Sequence, residues 1–125
     1  MLLRALECIR VGSMSPLETD FRLVTAAAGL PEPELDVEIR DERGVLLGIA
    51  DARYEAYRVI VEVEGDHHRT SRAQWRRDIA KHAAYVRAGY EVVRLTAPDV
   101  RGAGGSAPTA DLIVRVALER HGFRP

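Results

Sequence analysis

Cysteine is almost absent from this chain of 125 residues, and its absence excludes two kinds of site. Cys8 has no partner, so no intramolecular disulfide can form and no zinc site can be built from several cysteines. Any metal ion would have to be held by oxygen atoms or by histidine. Asparagine is missing altogether, and Lys81 is the only lysine among 18 lysine and arginine residues. We attribute this bias towards arginine mainly to genome composition.

Long hydrophobic runs are also missing. No apolar stretch approaches the roughly 20 residues that a membrane-spanning helix needs, and the first ten residues contain charges, unlike a secretory signal. We therefore expect a cytoplasmic protein. The formal net charge of −1 argues against a strongly basic surface for nucleic acid, although it is compatible with a local basic patch. The length and the 46% hydrophobic content predict one compact domain.

The pattern of hydrophobic residues predicts an α/β domain of the α+β type, with the element order α-β-β-β-α-β-α. A short N-terminal helix over residues 1–12 is predicted to precede a single domain over residues 13–125. The predicted elements of that domain are a helix from 15 to about 28, strands at 35–40, 45–52 and 58–64, a helix over 72–88, a strand at 90–96 and a helix over 110–121. The three consecutive strands predict an antiparallel meander. The fourth strand can return parallel to an earlier one, because a long helix precedes it.

Two of the predicted helices begin with capping signals. Ser15, Pro16 and Glu18 predict an N-cap, a first-turn proline and a capping box. Ser71 and Gln74 have the same spacing at the start of the long helix. In that helix the apolar residues at helical spacing are expected to form the buried stripe, namely Trp75, Ile79, Ala83 and Val86.

The functional interpretation depends on acidic residues in the stretch DARYEAYRVIVEVEGDHH, from Asp51 to His68. Glu62 and Glu64 alternate with valines on one predicted strand, and Asp51 lies on the other arm of a predicted hairpin. If the hairpin turns near residues 55 and 56, Asp51 lies opposite Ile60 and the three carboxylates share one face of the sheet. A register shifted by one residue would send Asp51 to the other face.

Clustered carboxylates are unfavourable unless a cation or a proton compensates them, since each one raises the pKa of its neighbour. Magnesium suits such a cluster, because it prefers hard oxygen ligands and is commonly held by one or two carboxylates plus a substrate phosphate. The ion can activate a water and stabilise charge on a phosphodiester. The alternative is that Glu62 and Glu64 simply form the solvent face of an edge strand. The spacing alone does not decide between these two interpretations.

Several segments together resemble a known family: SPLET, AGLPEPE, the strand that ends in Asp51, and VEVEGDHHRTSRAQWRRDIAKHAAYVRAGYEVVRLTAPD. Over about residues 13–100 the chain resembles the very-short-patch-repair-like (Vsr-like) branch of the PD-(D/E)XK nuclease superfamily, and more closely an actinobacterial domain family of unknown function in that branch. The resemblance implies a restriction-endonuclease-like core, with a mixed four-stranded sheet flanked by helices. It also implies a DNA endonuclease that depends on Mg²⁺ or Mn²⁺, in a repair, defence or toxin–antitoxin setting. Members often follow a winged helix, so a winged-helix or toxin–antitoxin partner is expected.

The resemblance implies roles for individual residues. Asp51 matches the first metal-binding acid, although Ala50 precedes it where the superfamily has proline. Glu62 matches the second acid, and Glu64 occupies the third motif position, where the superfamily often has lysine. These three acids are the implied metal ligands. Glu18 matches an acid on the first helix that can reach the metal site, although a capping box explains the same residue without catalysis.

The residues around the acids are also given roles by the resemblance. His67 and His68 match a loop beside the scissile phosphate, where histidine can relay a proton or bind phosphate, although histidines are also common in polar surface turns. The missing motif lysine leaves open which group activates the water. Lys81 is a substitute for it only if its helix packs beside the strands, and a single solvated lysine needs no such explanation. Trp75 is expected in the core rather than as a base-stacking platform. The arginines expected to contact DNA phosphates are Arg69, Arg72, Arg76 and Arg77.

Two other classes of protein stay open. A nuclease fold that has lost catalysis, and that acts in DNA or protein binding or in regulation, would suit the near-neutral charge and the nonstandard third motif. A different metallohydrolase built on the sequence Asp66-His67-His68 is disfavoured, because the chain lacks asparagine and further Asp and His motifs at suitable spacing.

Overall fold

A mixed sheet of four strands organises the domain. The structure, a computed structural model, describes residues 15–65 and 71–125. The strands are β1 (Glu34–Arg40), β2 (Leu46–Tyr54), β3 (Val59–Val63) and β4 (Glu91–Leu95), and the helices are α1 (Pro16–Ala27), α2 (Arg72–Arg87), α3 (Ala97–Arg101) and α4 (Ala110–Arg120). The predicted class, an α+β domain with a mixed four-stranded sheet flanked by helices, is confirmed, and α3 is an addition to the predicted order. The predicted helix over residues 1–12 lies outside the described residues.

The strands lie in the sheet in the order in which they occur in the chain. β1 pairs antiparallel with β2, and β2 pairs antiparallel with β3, which confirms the predicted meander. β4 pairs parallel with β3, because α2 carries the chain back across the sheet. β3 is therefore a central strand, and its residues Val59, Ile60 and Val61 are completely buried.

The register between β2 and β3 differs from the prediction by two residues. Ile60 lies opposite Arg53, so the prediction that it lies opposite Asp51 is wrong. The reason is the connection, in which a 3-10 turn over Glu55–Tyr57 and the left-handed residue Arg58, with a φ of 55°, make a longer turn than expected. A shift of two residues does not change the face of a side chain in a regular strand.

α1 begins as the sequence predicts. The Ser15 Oγ accepts a hydrogen bond from the Glu18 amide (3.1 Å), and the Ser15 amide donates to Glu18 Oε1 (2.8 Å), which completes the capping box. Leu17 and Phe21 pack into the larger of two hydrophobic clusters, together with residues of α3 and α4. This packing fixes the position of the α1 N-terminus, and with it the Glu18 carboxyl group, relative to the sheet.

The predicted buried stripe of α2 is wrong. Trp75, Ile79 and Val86 are exposed (59%, 49% and 52%), and Ala83 is only partly buried. The completely buried residue of the helix is Tyr85, which packs into the second hydrophobic cluster on the α2 side of the sheet. Three further residues of α2, at helical spacing from Tyr85, are partly buried and polar: Gln74, Asp78 and Lys81. α2 therefore turns a largely polar face towards the sheet.

The longest helix in the described ranges is α2, with 16 residues. None of the helices in these ranges is both long enough and apolar enough to cross a membrane.

Candidate active site

Strands β2 and β3 separate at two acidic residues. Their backbone pairing ends where Ala52 lies opposite Val61. Beyond this pair the carboxylates accept the hydrogen bonds: the Asp51 amide donates to Glu62 Oε2 (3.2 Å), and the Val63 amide donates to Asp51 Oδ2 (2.8 Å). Each carboxylate takes the place that a backbone carbonyl has in a regular ladder. The two acids thus lie side by side where the sheet opens.

A second irregularity lies next to Asp51, on β1. By the β1–β2 register Asp36 is opposite Asp51, and its φ of 48° falls in the left-handed region that residues with a side chain rarely adopt. On β2, Ala52 packs into the cluster with α1 and α4, whereas Ala50 packs into the cluster on the α2 side. Residues two apart in a regular strand share a face, so the alternation of side chains is interrupted at Asp51.

Glu62 is a largely buried acid that lacks a full set of partners. Its side chain is 12% exposed on a central strand, so the alternative of a solvent-facing edge strand is wrong for this residue. Its Oε1 has no hydrogen-bond partner among the described residues. Burial, and then the charge of Asp51, raise the pKa of Glu62, whereas the Lys81 ammonium lowers it.

Lys81 lies beside this unbonded oxygen. The distance from Lys81 Nζ to Glu62 Oε1 is 3.5 Å, which makes an ion pair without hydrogen-bond geometry. The Lys81 side chain is about one-third exposed (34%). α2 therefore packs beside the strands, which is the condition that the sequence analysis set for Lys81 to replace the missing motif lysine.

Glu18 joins the acids from α1. Burial and a hydrogen bond with Asp51 raise the pKa of Glu18 to about 7, against the lowering effect of the hydrogen bond from the Ser15 amide. The charges of Asp51 and Asp36 act in the same direction as burial. Glu18 therefore both caps α1 and contacts Asp51, so the two explanations of this residue are compatible.

Glu64 lies apart from these contacts. It directly follows β3, its side chain is about half exposed (49%), and its Oε2 lies 3.7 Å from Arg94 Nη1 on β4. The Glu64 amide donates to the Leu95 carbonyl (2.7 Å), which extends the pairing of β3 with β4. Of the three predicted metal ligands, the structure brings Asp51 and Glu62 together and places Glu64 beside Arg94.

α2 approaches the sheet closely at Gly48. A Cβ atom at this position would lie 2.5 Å from the Tyr85 hydroxyl oxygen and 2.7 Å from Lys81 Cδ, so glycine makes room for both side chains. Tyr85 is completely buried, and its hydroxyl has no hydrogen-bond partner among the described residues. Burial, followed by the charges of Glu62 and Asp51, raises the pKa of Tyr85, so its hydroxyl keeps its proton near the acidic pair.

The predicted DNA-contacting arginines of α2 are exposed. Two of them line an open surface depression of about 480 Å³, and the described residues that line it are Ser71, Arg72, Trp75 and Arg76. Arg77 donates to Gln74 Oε1 (2.9 Å), and the Gln74 amide nitrogen donates in turn to Asp78 Oδ1 (3.1 Å). The depression is thus lined by an indole ring and two guanidinium groups on one side of the helix.

Three predicted site residues lie in the segment 66–70, outside the described residues: His67, His68 and Arg69. Their roles stay predictions.

The acids interact pairwise along a row. Glu18 contacts Asp51, and Asp51 contacts Glu62, but within residues 15–65 and 71–125 no group of three His, Cys, Asp or Glu side chains is placed to hold a metal ion. The pair of Asp51 and Glu62 nevertheless fits Mg²⁺, because two carboxylates suffice when water and a substrate phosphate fill the remaining positions. The unbonded Glu62 Oε1 is the atom with free coordinating capacity.

Comparisons of the chain with protein-family models, with curated proteins and with solved structures find no match. The resemblance to the Vsr-like branch therefore depends on the motifs in the sequence. The fold and the site define an α+β domain with an acidic pair and a lysine at an opening of its sheet.

The sequence patterns did not single out Asp36, Gly48 or Tyr85. A glycine inside a strand often marks the close approach of another element, and this is the signal that would have pointed to Gly48. Asp36 lies in a regular alternating pattern and Tyr85 lies inside a helix, so neither carries a local signal.

Proposed function

We propose that this domain is a Mg²⁺-dependent DNA endonuclease of the Vsr-like branch, which hydrolyses phosphodiester bonds. The observation that carries the proposal is the pair of Asp51 and Glu62 at the opening of the sheet, with Lys81 Nζ 3.5 Å from an unbonded Glu62 oxygen. Neighbouring buried carboxylates are unfavourable unless something compensates their charge. A divalent cation and a phosphate are the compensation that this arrangement suits.

The proposed roles follow from the contacts. Asp51 and Glu62 hold the ion, which supplies an activated water and neutralises charge on the phosphate when it is bound. Lys81 contributes a fixed positive charge next to the same oxygen, where it stabilises negative charge on the reacting phosphate. Glu18 holds the Asp51 carboxyl group in place through their hydrogen bond. His67 and His68 keep the role that the resemblance implies, beside the scissile phosphate.

The test is cleavage of supercoiled, linear and mismatched DNA by the purified protein with Mg²⁺ or Mn²⁺. We expect cleavage that EDTA abolishes. Asp51→Asn is the sharper variant, because its amide oxygen can still accept the hydrogen bond from the Val63 amide while one negative charge is lost. Asp51→Ala removes the charge and the acceptor together. An inactive wild-type protein, or cleavage that survives in both variants, would overturn the proposal.

A catalytically degenerate nuclease fold, acting in DNA or protein binding or in regulation, is the second candidate. One observation favours it: the three predicted ligands do not form one group among the described residues, because Glu64 pairs with Arg94. Thermal denaturation with added Mg²⁺ or Mn²⁺ separates the two functions. An ion at 100 times its Kd adds about 2.7 kcal/mol of stability, and the endonuclease requires such a rise, whereas the degenerate module binds its partners without it.

The setting in repair, defence or a toxin–antitoxin system, and the winged-helix partner, are also parts of the proposal. They are supported by the resemblance alone. Co-purification with a winged-helix protein encoded nearby would test the partner.

A further inference from the structure

Trp75 is a large aromatic side chain on the outer side of α2. It is 59% exposed, and it is the only tryptophan of the chain. The polar residues Gln74 and Lys81 occupy the face that turns towards the sheet, so the indole ring points away from the core. Trp75 therefore contributes little to the hydrophobic core, although tryptophan is one of the side chains that gain most from burial.

Two arginines flank the indole ring, and no residue in the described part of the chain neutralises their charge. Arg72 and Arg76 are four residues apart on the helix, where like charges repel each other. Neither forms an ion pair with any residue in 15–65 or 71–125, and the first turn of α2 contains no acidic residue. Both arginines line the depression of about 480 Å³ that also contains Trp75. This concentration of positive charge, in a chain with a net charge of −1, favours an anionic ligand.

We propose that this depression binds an unpaired nucleobase of a single-stranded nucleic acid, which stacks on Trp75 while Arg72 and Arg76 contact the adjacent phosphates. Single-strand binding surfaces combine these two elements, a positive groove for the backbone and an aromatic ring for the base. A phosphate-only ligand would use the arginines and leave the indole ring without a role. An apolar protein segment would use the ring and leave two unpaired guanidinium groups at its edge.

The stacking site lies on the same helix as Lys81, on a different side of it. Trp75 and Lys81 are six residues apart, which is about 9 Å along a helix axis. A strand that reaches both residues has to pass around the helix, whose diameter with side chains is about 10–12 Å, so several nucleotides separate the stacked base from the phosphate beside Lys81. The inference deepens the proposed function. The placement of the cleaved phosphate beside Lys81 rests on that proposed function, whereas the stacking of a base on Trp75 does not. It predicts a preference for substrates with unpaired bases, such as mismatches, overhangs and single strands.

Tryptophan fluorescence reports on the site directly, because Trp75 is the only source of the signal. The protein is titrated in EDTA, so that cleavage plays no part, with single-stranded oligothymidylate, a blunt-ended duplex of two complementary strands or inorganic tripolyphosphate. We expect saturable quenching by the single strand, weaker binding of the duplex, and no quenching by tripolyphosphate. Absence of quenching by the single strand, or equal quenching by the duplex, would overturn the proposal. A parallel titration with oligouridylate distinguishes RNA from DNA as the source of the base.

Variants at exposed positions separate stacking from charge. With a labelled single strand, Trp75→Ala should weaken binding by about 5-fold to 150-fold, and Trp75→Phe should retain most of the affinity. Ile79→Ala is the matched control, since it shortens an exposed apolar side chain one turn further on and leaves the depression intact. Arg72→Gln and Arg76→Gln should weaken binding of both the strand and tripolyphosphate and reduce the dependence on salt.

Two results would contradict the stacking role. The first is a Trp75→Ala protein that binds the strand as tightly as the wild type. The second is an equal loss of affinity in Ile79→Ala and Trp75→Ala, which would identify an apolar docking surface for a protein. Asp51→Asn should retain stacking whether or not the protein cleaves DNA, so failure of the endonuclease proposal and failure of the stacking proposal are distinguishable.

Discussion

Lys81 Nζ lies 3.5 Å from Glu62 Oε1, an oxygen that accepts no hydrogen bond from the residues in the described ranges. The lysine reaches this position from α2, across Gly48, and not from the third-motif position, where the superfamily that the sequence resembles often has lysine. Without a bound ion, its ammonium group offsets part of the charge of Asp51 and Glu62. With an ion and a substrate in place, the same group is our candidate for the charge that the third motif lacks.

Lys81→Met tests this candidate, because methionine keeps most of the side-chain length and removes the charge. The rate of DNA cleavage at saturating Mg²⁺ should fall by about 10²-fold to 10³-fold, the range for the loss of one preorganised electrostatic group. The affinity for Mn²⁺ should rise, since a competing cation is gone. Lys81→Arg should restore part of the rate. Cleavage kinetics and a Mn²⁺ titration measure the two effects, and parallel losses of rate and ion affinity would contradict the role.

Glu62→Gln removes a buried charge and keeps an acceptor for the Asp51 amide. Burial raises the pKa of Glu62, so ionisation of this group disfavours folding. In EDTA we therefore expect the free energy of unfolding to increase by roughly 0.5–2 kcal/mol. The stabilisation by Mg²⁺ or Mn²⁺ should disappear. Urea denaturation with and without the ion measures both changes.

Glu64→Gln is the matched control for this variant, since it makes the same change two residues further along the chain. The pair of Glu64 and Arg94 is exposed, and exposed pairs contribute about 0–1 kcal/mol. Stability in EDTA should change little, and stabilisation by the ion should persist. Loss of that stabilisation in Glu64→Gln would contradict a site of two carboxylates and support the predicted set of three.

Glu18 should make the stability of the ion-free protein depend on pH. Its pKa of about 7 in the folded state exceeds the usual value of 4.5, so the folded state binds the proton more tightly than the unfolded state. This stabilisation is complete below 4.5 and is lost as the pH rises through about 7. Between about pH 5 and about pH 8 the wild type should lose stability relative to Glu18→Gln, which retains a capping side chain. A constant difference in urea denaturation across this range would refute the prediction.

Gly48→Ala should crowd the contact between α2 and β2. The new Cβ would lie 2.5 Å from the Tyr85 hydroxyl, and overpacking of this kind costs about 1–3 kcal/mol. Lys81 can move aside, whereas Tyr85 is held by its burial. Tyr85→Phe in the same chain removes the nearest atom and should restore part of the stability. A double-mutant cycle measured by urea denaturation gives the coupling, and an additive result would contradict the contact.

Local chemistry explains the parts of the fold that the sequence predicts well. The capping box of Ser15 and Glu18 joins residues three apart, so no tertiary information is needed to predict it. Strand periodicity predicted that Asp51 and Glu62 lie together, and the structure brings them together despite an error of two residues in the register. An even shift does not change side-chain direction in a regular strand. An odd shift would have separated the acids.

The orientation of α2 needed information that its own sequence does not contain. Trp75, Ile79 and Val86 have the spacing of a buried stripe, yet the helix turns Lys81 and Tyr85 towards the sheet. The usual rule assumes that a helix packs on an apolar surface. α2 packs where β2 and β3 present carboxylates, and departures from hydrophobic patterning of this kind are expected at functional sites. Trp75 is exposed for the same reason, because α2 turns its polar face towards the sheet and its apolar residues away from it.

The hydrogen bond from the Val63 amide to Asp51 Oδ2 joins β3 to β2, so Asp51 stabilises the sheet whether or not it takes part in catalysis. A lineage that had abandoned cleavage would still need an acceptor here to keep β2 and β3 together, and asparagine would serve nearly as well as aspartate. Persistence of the acid in a relative therefore does not diagnose an active enzyme. If the proposed ion competes with the Val63 amide for Oδ2, ion binding will weaken this contact between β2 and β3, and the exchange rate of the Val63 amide proton will then rise.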